Sequence, residues 1–166
     1  KEIYALHTYK WAITYHVVNF KRNHLDTYTG WLLKAITKYN RCEFAILNPE
    51  LTYSVSKYQT ACGIVDIMSH TMERYFVSGT TMEITDSISE ALMRTVIANT
   101  RILMKNPQDY NARAEIMWAG SLSHNDLTGC GNDGNDFSTH RLEHELGGMF
   151  DVAHGAGLAA IWGSWA

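Results

Sequence analysis

Apolar residues recur every three or four positions through long stretches of this chain, and this spacing limits its possible folds more than any other feature. The pattern is clearest over residues 88–103, and similar apolar faces follow residues 58–75 and 112–123. Such spacing is typical of amphipathic α-helices, which repeat every 3.6 residues. Only Pro49 and Pro107 interrupt the 166 residues, of which 46% are hydrophobic. The sequence therefore predicts a mainly α fold with a buried core.

Local signals predict where two of these helices begin and end. Ser87 and Glu90 form a capping-box pattern, which predicts a helix that begins near Asp86. The final amphipathic helix is expected to begin at Phe137 and to end at a pair of glycines, residues 147–148.

Glycine is concentrated in the last part of the chain, where nine of the twelve lie at or beyond Gly120. Gly155 and Gly157 closely follow His154. An ordinary helical bundle does not require glycines at such positions, so they predict that the backbone there packs closely against a neighbouring element.

The first quarter of the chain differs in composition from the rest. Residues 1–41 carry seven Lys or Arg and two acidic residues, whereas residues 42–166 carry seven and fifteen. Alternating apolar and polar positions over residues 9–17 predict a short β-strand, and residues 44–47 predict a second extended run. We therefore expect a divergent, strand-containing segment at 1–41 and a helical domain at 42–166. The interleaved basic and aromatic residues also suit single-stranded nucleic acids, but a strand explains them, so no nucleic-acid partner is predicted.

No segment predicts membrane insertion or secretion. The uncharged stretch of residues 152–166 is too short to cross a bilayer, and residues 1–4 do not lead into a signal peptide. The cysteines show no spacing typical of a disulfide framework: they are Cys42, Cys62 and Cys130. A cytoplasmic location without a membrane partner is therefore expected.

Carboxylate and imidazole side chains recur at helical spacing in the predicted helical domain. Asp66 and His70 lie one turn apart, and His140 and His144 repeat this spacing on the last predicted helix. His154 follows the glycine pair, where a reversal of the chain can bring it back toward the same point. Three or four of these groups can therefore meet at one ion. A carboxylate with several imidazoles suits Fe(II) or Zn(II) better than Mg(II) or Ca(II), which prefer oxygen ligands.

The segment around His140 also matches a second motif. His140, Glu143 and His144 satisfy the pattern H-x-x-E-H, in which the histidines bind zinc and the glutamate is the general base of a peptidase. This scheme needs a further acidic ligand, and the acidic residues downstream lie too near His144 to come from a separate helix. It also leaves the first Asp–His pair without a role. A zinc metallopeptidase is one alternative function, and a non-catalytic helical fragment is another.

Two segments of the sequence closely resemble one known family. They read GIVDIMSHTME at residues 63–73 and HRLEHELGGMFDVAHGAGLA at residues 140–159. Both resemble the iron-containing (group III) alcohol dehydrogenases, in particular the butanol-dehydrogenase branch, and the resemblance covers roughly residues 43–166. It implies that the helical region is the family's metal-binding, dehydroquinate-synthase-like domain, here incomplete at its C-terminus.

The resemblance also implies a role for each candidate side chain. In the family, the metal is held by an aspartate and a histidine one helical turn apart, by a histidine fourteen residues before the last ligand, and by that last histidine in a His-Gly turn. The corresponding positions here are Asp66, His70, His140 and His154. His144 corresponds to a non-ligand histidine near the nicotinamide and the substrate, which implies a catalytic role in proton transfer.

The family further implies the reaction and its cofactors. Its members interconvert alcohols and aldehydes with NAD or NADP, and a divalent metal, here Fe(II) or Zn(II), acts as a Lewis acid. The glycine-rich cofactor-binding segments of the family have no counterpart in residues 1–47. The cofactor domain is therefore expected to be missing from this chain, and its cofactor-binding residues stay unknown. The resemblance implies a small alcohol or aldehyde as substrate and a homodimer for the intact family member.

Overall fold

The computed structural model describes three ranges of the chain, residues 45–76, 81–132 and 137–166. These ranges contain α-helices and short 3-10 helices and no β-strand, which confirms the predicted mainly α fold. The strand predicted at residues 9–17 and the divergent segment predicted at 1–41 lie outside the described residues. Of the second extended run, residues 45–47 are described, and they form neither helix nor strand.

The described residues form five α-helices: α1 (Lys57–Tyr75), α2 (Glu83–Leu103), α3 (Tyr110–His124), α4 (Ser138–Phe150) and α5 (His154–Trp165). A 3-10 helix, Pro49–Thr52, precedes α1, and a second, Leu127–Gly129, follows α3. Throughout the described ranges, no helix has both the length and the apolar character that crossing a membrane requires.

Side-chain caps fix the beginnings of α1 and α3. The Ser56 side chain accepts a hydrogen bond from the Gln59 N–H at 3.2 Å, and Asp109 accepts one from the Ala112 N–H at 3.0 Å. Each cap satisfies a first-turn amide that has no partner within its own helix.

Helix α2 begins at Glu83, earlier than predicted, and has no side-chain hydrogen bond at its N-cap. Ser87 therefore lies inside the helix. The Glu90 carboxylate accepts hydrogen bonds from the Tyr75 hydroxyl and the Arg94 guanidinium, each at 3.0 Å. The capping-box prediction is wrong because the carboxylate is held by these partners instead of by the start of the helix.

Helix α4 continues through the glycine pair at which it was expected to end. It ends at Phe150, and Asp151 follows in the left-handed region with a φ of 54°. The Asp151 N–H donates to the Gly147 carbonyl at 2.9 Å. This left-handed residue ends the helix and turns the chain, so that α5 begins at His154. The predicted end is wrong because Gly147 serves side-chain packing inside the helix instead of a cap.

Helices α1, α2 and α3 enclose an apolar core. Its buried members are Ile64 of α1, Leu92 and Val96 of α2, and Ala119 of α3. Partly buried side chains surround them: Ile67, Met68, Ile116 and Leu122. The core thus lies along the apolar faces that the periodicity predicts for these three helices.

Helix α1 also packs against α5, and their backbones approach closely. A Cβ atom at position 155 would overlap the Cys62 backbone at its carbonyl group, so Gly155 is required there. Because Gly155 follows His154, this contact places the first turn of α5 about one helical turn from Asp66. The prediction of close backbone packing near His154 is confirmed.

Candidate metal centre

Three helices bring Asp66, His140 and His154 together. Asp66 lies on α1, His140 lies in the first turn of α4, and His154 is the first residue of α5. Asp66 Oδ1 is 3.2 Å from His140 Nε2 and 3.3 Å from His154 Nε2. The potential ligand atoms of all three lie within 4.8 Å of one another. The fold thus collects at one point three of the four residues for which the resemblance implies a ligand role.

The spacing and chemistry of this group fit a divalent metal. Ligand atoms that lie about 2.1 Å from a tetrahedral Zn²⁺ are about 3.4 Å from each other, close to the 3.2 and 3.3 Å found here. Both histidines direct Nε2 toward Asp66, and this nitrogen carries a lone pair when Nδ1 holds the proton of a neutral ring. One carboxylate oxygen and two imidazole nitrogens suit zinc or ferrous iron.

His70 lies beside this group. Its Nδ1 is 3.7 Å from Asp66 Oδ1, and its ring stacks on His140 with centroids 4.3 Å apart and an angle of 24° between planes. The mutually close group of three ligand atoms does not include His70. His124, to which the sequence assigned no role, also contacts His70, with ring centroids 4.3 Å apart.

Mutual hydrogen bonds and burial shift the pKa values of the group. Burial raises the pKa of Asp66, but hydrogen bonds from His140 and His154 outweigh it and bring this pKa below its usual value. Burial lowers the pKa of His154, but Asp66 and Glu143 together raise it to about 9. Burial lowers the pKa of His70 to about 3 despite the nearby Asp66. The Asp66 carboxylate is therefore ionised beside the positively charged His154 ring, and a metal cation can replace that positive charge by displacing a proton.

A buried glutamate contacts the far side of the His140 ring. Glu73, on α1, is 0% exposed, and its Oε2 accepts a hydrogen bond from His140 Nδ1. Its Oε1 accepts from the backbone N–H groups of Thr139 at 2.8 Å and His140 at 3.3 Å. These amides belong to the first turn of α4, whose own N-cap residue makes no side-chain hydrogen bond. Glu73 was not predicted as a site residue, although its helical spacing from Asp66 and His70 places it on the same face.

A second buried glutamate contacts His154 in the same way. Glu143, on α4, is 2% exposed, and its Oε2 accepts a hydrogen bond from His154 Nδ1. Its Oε1 has no hydrogen-bond partner among the described residues. Two glycines leave space for this carboxylate, because a Cβ at Gly157 would lie 2.7 Å from Oε1 and a Cβ at Gly147 would lie 3.2 Å from it. The spacing from Glu143 to Gly147, one helical turn, is a sequence signal from which this packing could have been predicted.

The environment of Glu143 disfavours the peptidase alternative. A general base must reach a water molecule at the metal, but the Glu143 side chain is buried and one of its oxygens is bound to His154. Ligand atoms of Glu143, His144 and His154 do lie within 4.8 Å of one another. The peptidase scheme, however, gives no role to Asp66 and His154, which lie at the centre of the cluster.

His144 lies at the exposed edge of the cluster. Its ring centroid is 5.3 Å from that of His154 and 6.4 Å from that of His140. Desolvation and the neighbouring His154 hold the pKa of His144 below its usual value, so the ring is neutral near pH 7 and can accept a proton. The exposed fraction of the side chain rises across the neighbouring ligands, from 7% at His140 to 15% at Asp66 and 24% at His154, so His144 lies next to the most exposed of the three.

Comparisons with known proteins agree on one family. The sequence profile described as "Fe-containing alcohol dehydrogenase family, C-terminal" matches residues 60–166. The chain is 45% identical over 125 residues to NADH-dependent butanol dehydrogenase A of Clostridium acetobutylicum. The aligned region covers 75% of this chain and 32% of that protein. It is 36% identical over 118 residues to the NADPH-dependent aldehyde reductase YqhD of Escherichia coli, covering 71% of this chain and 30% of that protein.

A solved structure shows the same helical arrangement. The crystal structure of NADH-dependent butanol dehydrogenase A from Thermotoga maritima matches with a TM-score of 0.74 and 37% sequence identity. The match covers 77% of this chain and 32% of that one. The chain therefore spans about a third of the length of the proteins it resembles.

Proposed function

The chain belongs to the Fe-containing alcohol dehydrogenase family, and from this premise we propose that it is the metal-binding part of an NAD(P)-dependent alcohol dehydrogenase or aldehyde reductase. The observation that carries this proposal is the convergence of Asp66, His140 and His154 from three helices. The family match supports it, because it includes all three of these positions.

In this proposal Asp66, His70, His140 and His154 hold the metal, either Fe(II) or Zn(II). His70 is the fourth ligand of the set, and its Nδ1 lies 3.7 Å from Asp66 Oδ1. A metal bound there supplies Lewis-acid chemistry, which polarises a carbonyl oxygen and lowers the pKa of an alcohol. Asp66 supplies the negative charge that offsets part of the charge of the cation.

His144 is the proposed catalytic residue. It lies on the exposed side of the cluster next to His154, and its lowered pKa keeps it able to accept a proton near neutral pH. It would take the proton of an alcohol substrate and pass it to solvent, or return it during aldehyde reduction.

The nicotinamide cofactor and the substrate are proposed from the relatives. The printed names of the matched proteins include NADH-dependent butanol dehydrogenases and an NADPH-dependent aldehyde reductase. We propose a small alcohol or aldehyde as substrate and NAD or NADP as hydride carrier, bound by a part of the protein outside the matched helices. The homodimer, the cytoplasmic location and the domain boundary near residue 41 stay predictions.

Metal analysis of the purified chain tests the proposal. We expect about one Fe or Zn per chain, and loss of this metal in Asp66→Ala, His140→Ala and His154→Ala. His144→Ala is the matched control, because it removes a histidine from the same cluster that is not a proposed ligand, and it should keep its metal. Nicotinamide-cofactor binding should be measured on the same preparations.

The alternatives make different predictions for these variants. A peptidase that uses His140 and His144 as ligands would lose its metal in His144→Ala and keep it in Asp66→Ala. A non-catalytic fragment would contain no metal, and a chelator would leave its melting temperature unchanged. Either result would contradict the proposed function.

A further inference from the structure

Two carboxylates that are not among the proposed ligands each contact one of the metal-binding histidines. We propose that Glu73 and Glu143 are positioning residues, which fix the tautomer and ring orientation of His140 and His154 so that both Nε2 atoms face Asp66. This inference rests on the proposed metal site and extends it to side chains that do not touch the metal.

Hydrogen-bond chemistry supports this role. An ionised carboxylate can only accept hydrogen bonds. A neutral imidazole whose Nδ1 lies against Glu73 or Glu143 must therefore carry its proton on Nδ1 and its lone pair on Nε2. Nε2 is the atom that faces Asp66 in both His140 and His154. Carboxylates in this position orient metal-bound histidines and make them more basic ligands.

The surroundings of Glu73 hold it rigidly. Its Oε2 is bound to His140 Nδ1, and its Oε1 accepts two backbone amides from the first turn of α4. A carboxylate is favourable at a helix N-terminus, where unpaired N–H groups give a partial positive charge. Glu73 thus connects α1 to the start of α4 and to the His140 ring at the same time, and both of its oxygens have fixed partners.

The surroundings of Glu143 differ in one respect. Its Oε2 is bound to His154 Nδ1, but its Oε1 has no partner among the described residues. Gly147 and Gly157 leave room for this oxygen, and a side chain at either position would crowd it. The hydrogen bond from His154 Nδ1 to Oε2 is therefore the one that must be kept, and Oε1 can be replaced by an amide nitrogen without the loss of a hydrogen bond.

This difference predicts opposite responses to the same substitution. In Glu73→Gln the amide oxygen must face the two backbone N–H groups, so the amide NH₂ faces His140 Nδ1 and cannot accept its proton. His140 is then driven to the other tautomer, which protonates Nε2. In Glu143→Gln the amide oxygen can face His154 Nδ1, and the NH₂ takes the place of the unpartnered oxygen. His154 therefore keeps its tautomer.

Zinc affinity of the full chain tests this inference, measured by competition with a chromophoric chelator. Glu73→Gln should weaken Zn²⁺ binding by roughly 10–100-fold, the usual cost of losing such a support. Glu143→Gln should weaken it by about threefold or less, whereas Glu143→Met, which removes the acceptor at similar volume, should fall in the range of roughly 10–100-fold. Far-UV circular dichroism of the metal-free variants reports whether they fold.

The ¹⁵N NMR shifts of the His140 ring in the metal-free chain separate positioning from a general structural effect. If Glu73 acts through His140, Glu73→Gln should leave Nδ1 of His140 unprotonated and its proton on Nε2. A merely structural role would leave the proton on Nδ1 as in the wild type, which would overturn the inference. Equal zinc affinities for Glu143→Gln and Glu143→Met would overturn it for Glu143, whether or not the Glu73 variant folds.

The outcomes also distinguish this inference from the proposed function. If Asp66→Ala lowers zinc affinity strongly while Glu73→Gln and Glu143→Met bind as the wild type does, the metal site stands and the positioning role is wrong. If Asp66→Ala leaves zinc affinity unchanged, the proposed ligand set itself is wrong, and the positioning role is overturned with it.

Discussion

Helix α1 borders two interiors that both contain fully buried side chains but are chemically opposite. On one side Ile64 packs against Leu92 and Val96 in an apolar core. On the other side the same helix directs Asp66 and Glu73 toward α4 and α5. Val96 and Glu73 are both 0% exposed, so burial alone does not distinguish the two regions.

The two interiors differ in the geometry that their stabilising interactions require. Apolar burial is non-directional and roughly proportional to the area removed from water. A buried carboxylate or imidazole needs a partner at a defined distance and angle, and an unpaired one is costly. We therefore expect the apolar core to set the stability of the chain and the polar interior to set its response to metal.

The largest effect is expected where the polar interior depends on backbone contact with α1. Gly155→Ala places a Cβ against the Cys62 carbonyl, so α1 or α5 must shift, which displaces Asp66 or His154. We expect a loss of about 3 kcal/mol or more in the free energy of unfolding, at or above the upper end for overpacking, together with loss of bound zinc. Chemical denaturation and metal analysis measure the two effects.

Gly163→Ala is the matched control for this substitution. Gly163 lies on the same helix, and a Cβ there would meet nothing within 4 Å. Because alanine is a better helix former than glycine by about 1 kcal/mol, this variant should be at least as stable as the wild type. Normal zinc binding by Gly155→Ala would show that the two interiors are not joined through this contact.

Truncation in the apolar core should reduce stability without affecting the metal. Leu92→Ala leaves a cavity among Ile64, Val96 and Ala119 and should cost about 3 kcal/mol, within the range for buried leucines. Zinc stoichiometry and affinity should match the wild type. Ile97→Ala, a truncation at an exposed position of the same helix, is the control and should cost much less. A large fall in zinc affinity for Leu92→Ala would break the comparison.

Metal addition should stabilise the chain through the polar interior alone. At free Zn²⁺ about 100 times its dissociation constant, the folded state should gain about 2.7 kcal/mol. Leu92→Ala should gain the same increment, because its defect lies on the other side of α1. Asp66→Asn should gain little, because it loses a charged ligand. Thermal unfolding with and without Zn²⁺ measures all three proteins, and a smaller gain for Leu92→Ala would show coupling across the helix.

The smallest effect is expected at an exposed position of α1. A Cβ at Gly63 would meet nothing within 4 Å, so Gly63→Ala should add about 0.5–1 kcal/mol of stability by helix propensity alone. Zinc affinity should stay the same. Denaturant titration detects the gain, and a loss of stability would show that α1 needs flexibility at this position.

Sequence predicted those features that depend on one helix at a time. The apolar face of α1, and its limits to within about a residue, follow from periodicity, which is local. The one-turn spacing of Asp66 and His70 is local as well. Spacing and the glycine break indicated that Asp66, His140 and His154 can meet at one ion, and the family resemblance assigned them as ligands. No spacing rule states how α4 and α5 dock on α1.

The misses involve side-chain partners both near to and far from the residue in the sequence. Glu90 was interpreted as part of a helix cap, but Tyr75 and Arg94 hold it. Gly147 was interpreted as the end of a helix, but it makes room for Glu143. Glu73 lay within a quoted motif without a role, because its partners on α4 follow it by more than sixty residues. The partners of Glu73 depend on tertiary packing, which the order of residues along one helix does not reveal, whereas Arg94 and Glu143 lie one turn from Glu90 and Gly147 and compete with the local capping signals.

The residues of the cluster differ in solvent exposure, so the cluster has a buried side and a more exposed side. His140 and Glu73 are buried where α4 packs on α1, whereas His154 is the most exposed member of the central group and His144 lies beside it. Among the described residues, the ligand side chain that solvent reaches most easily is therefore an imidazole and not the carboxylate.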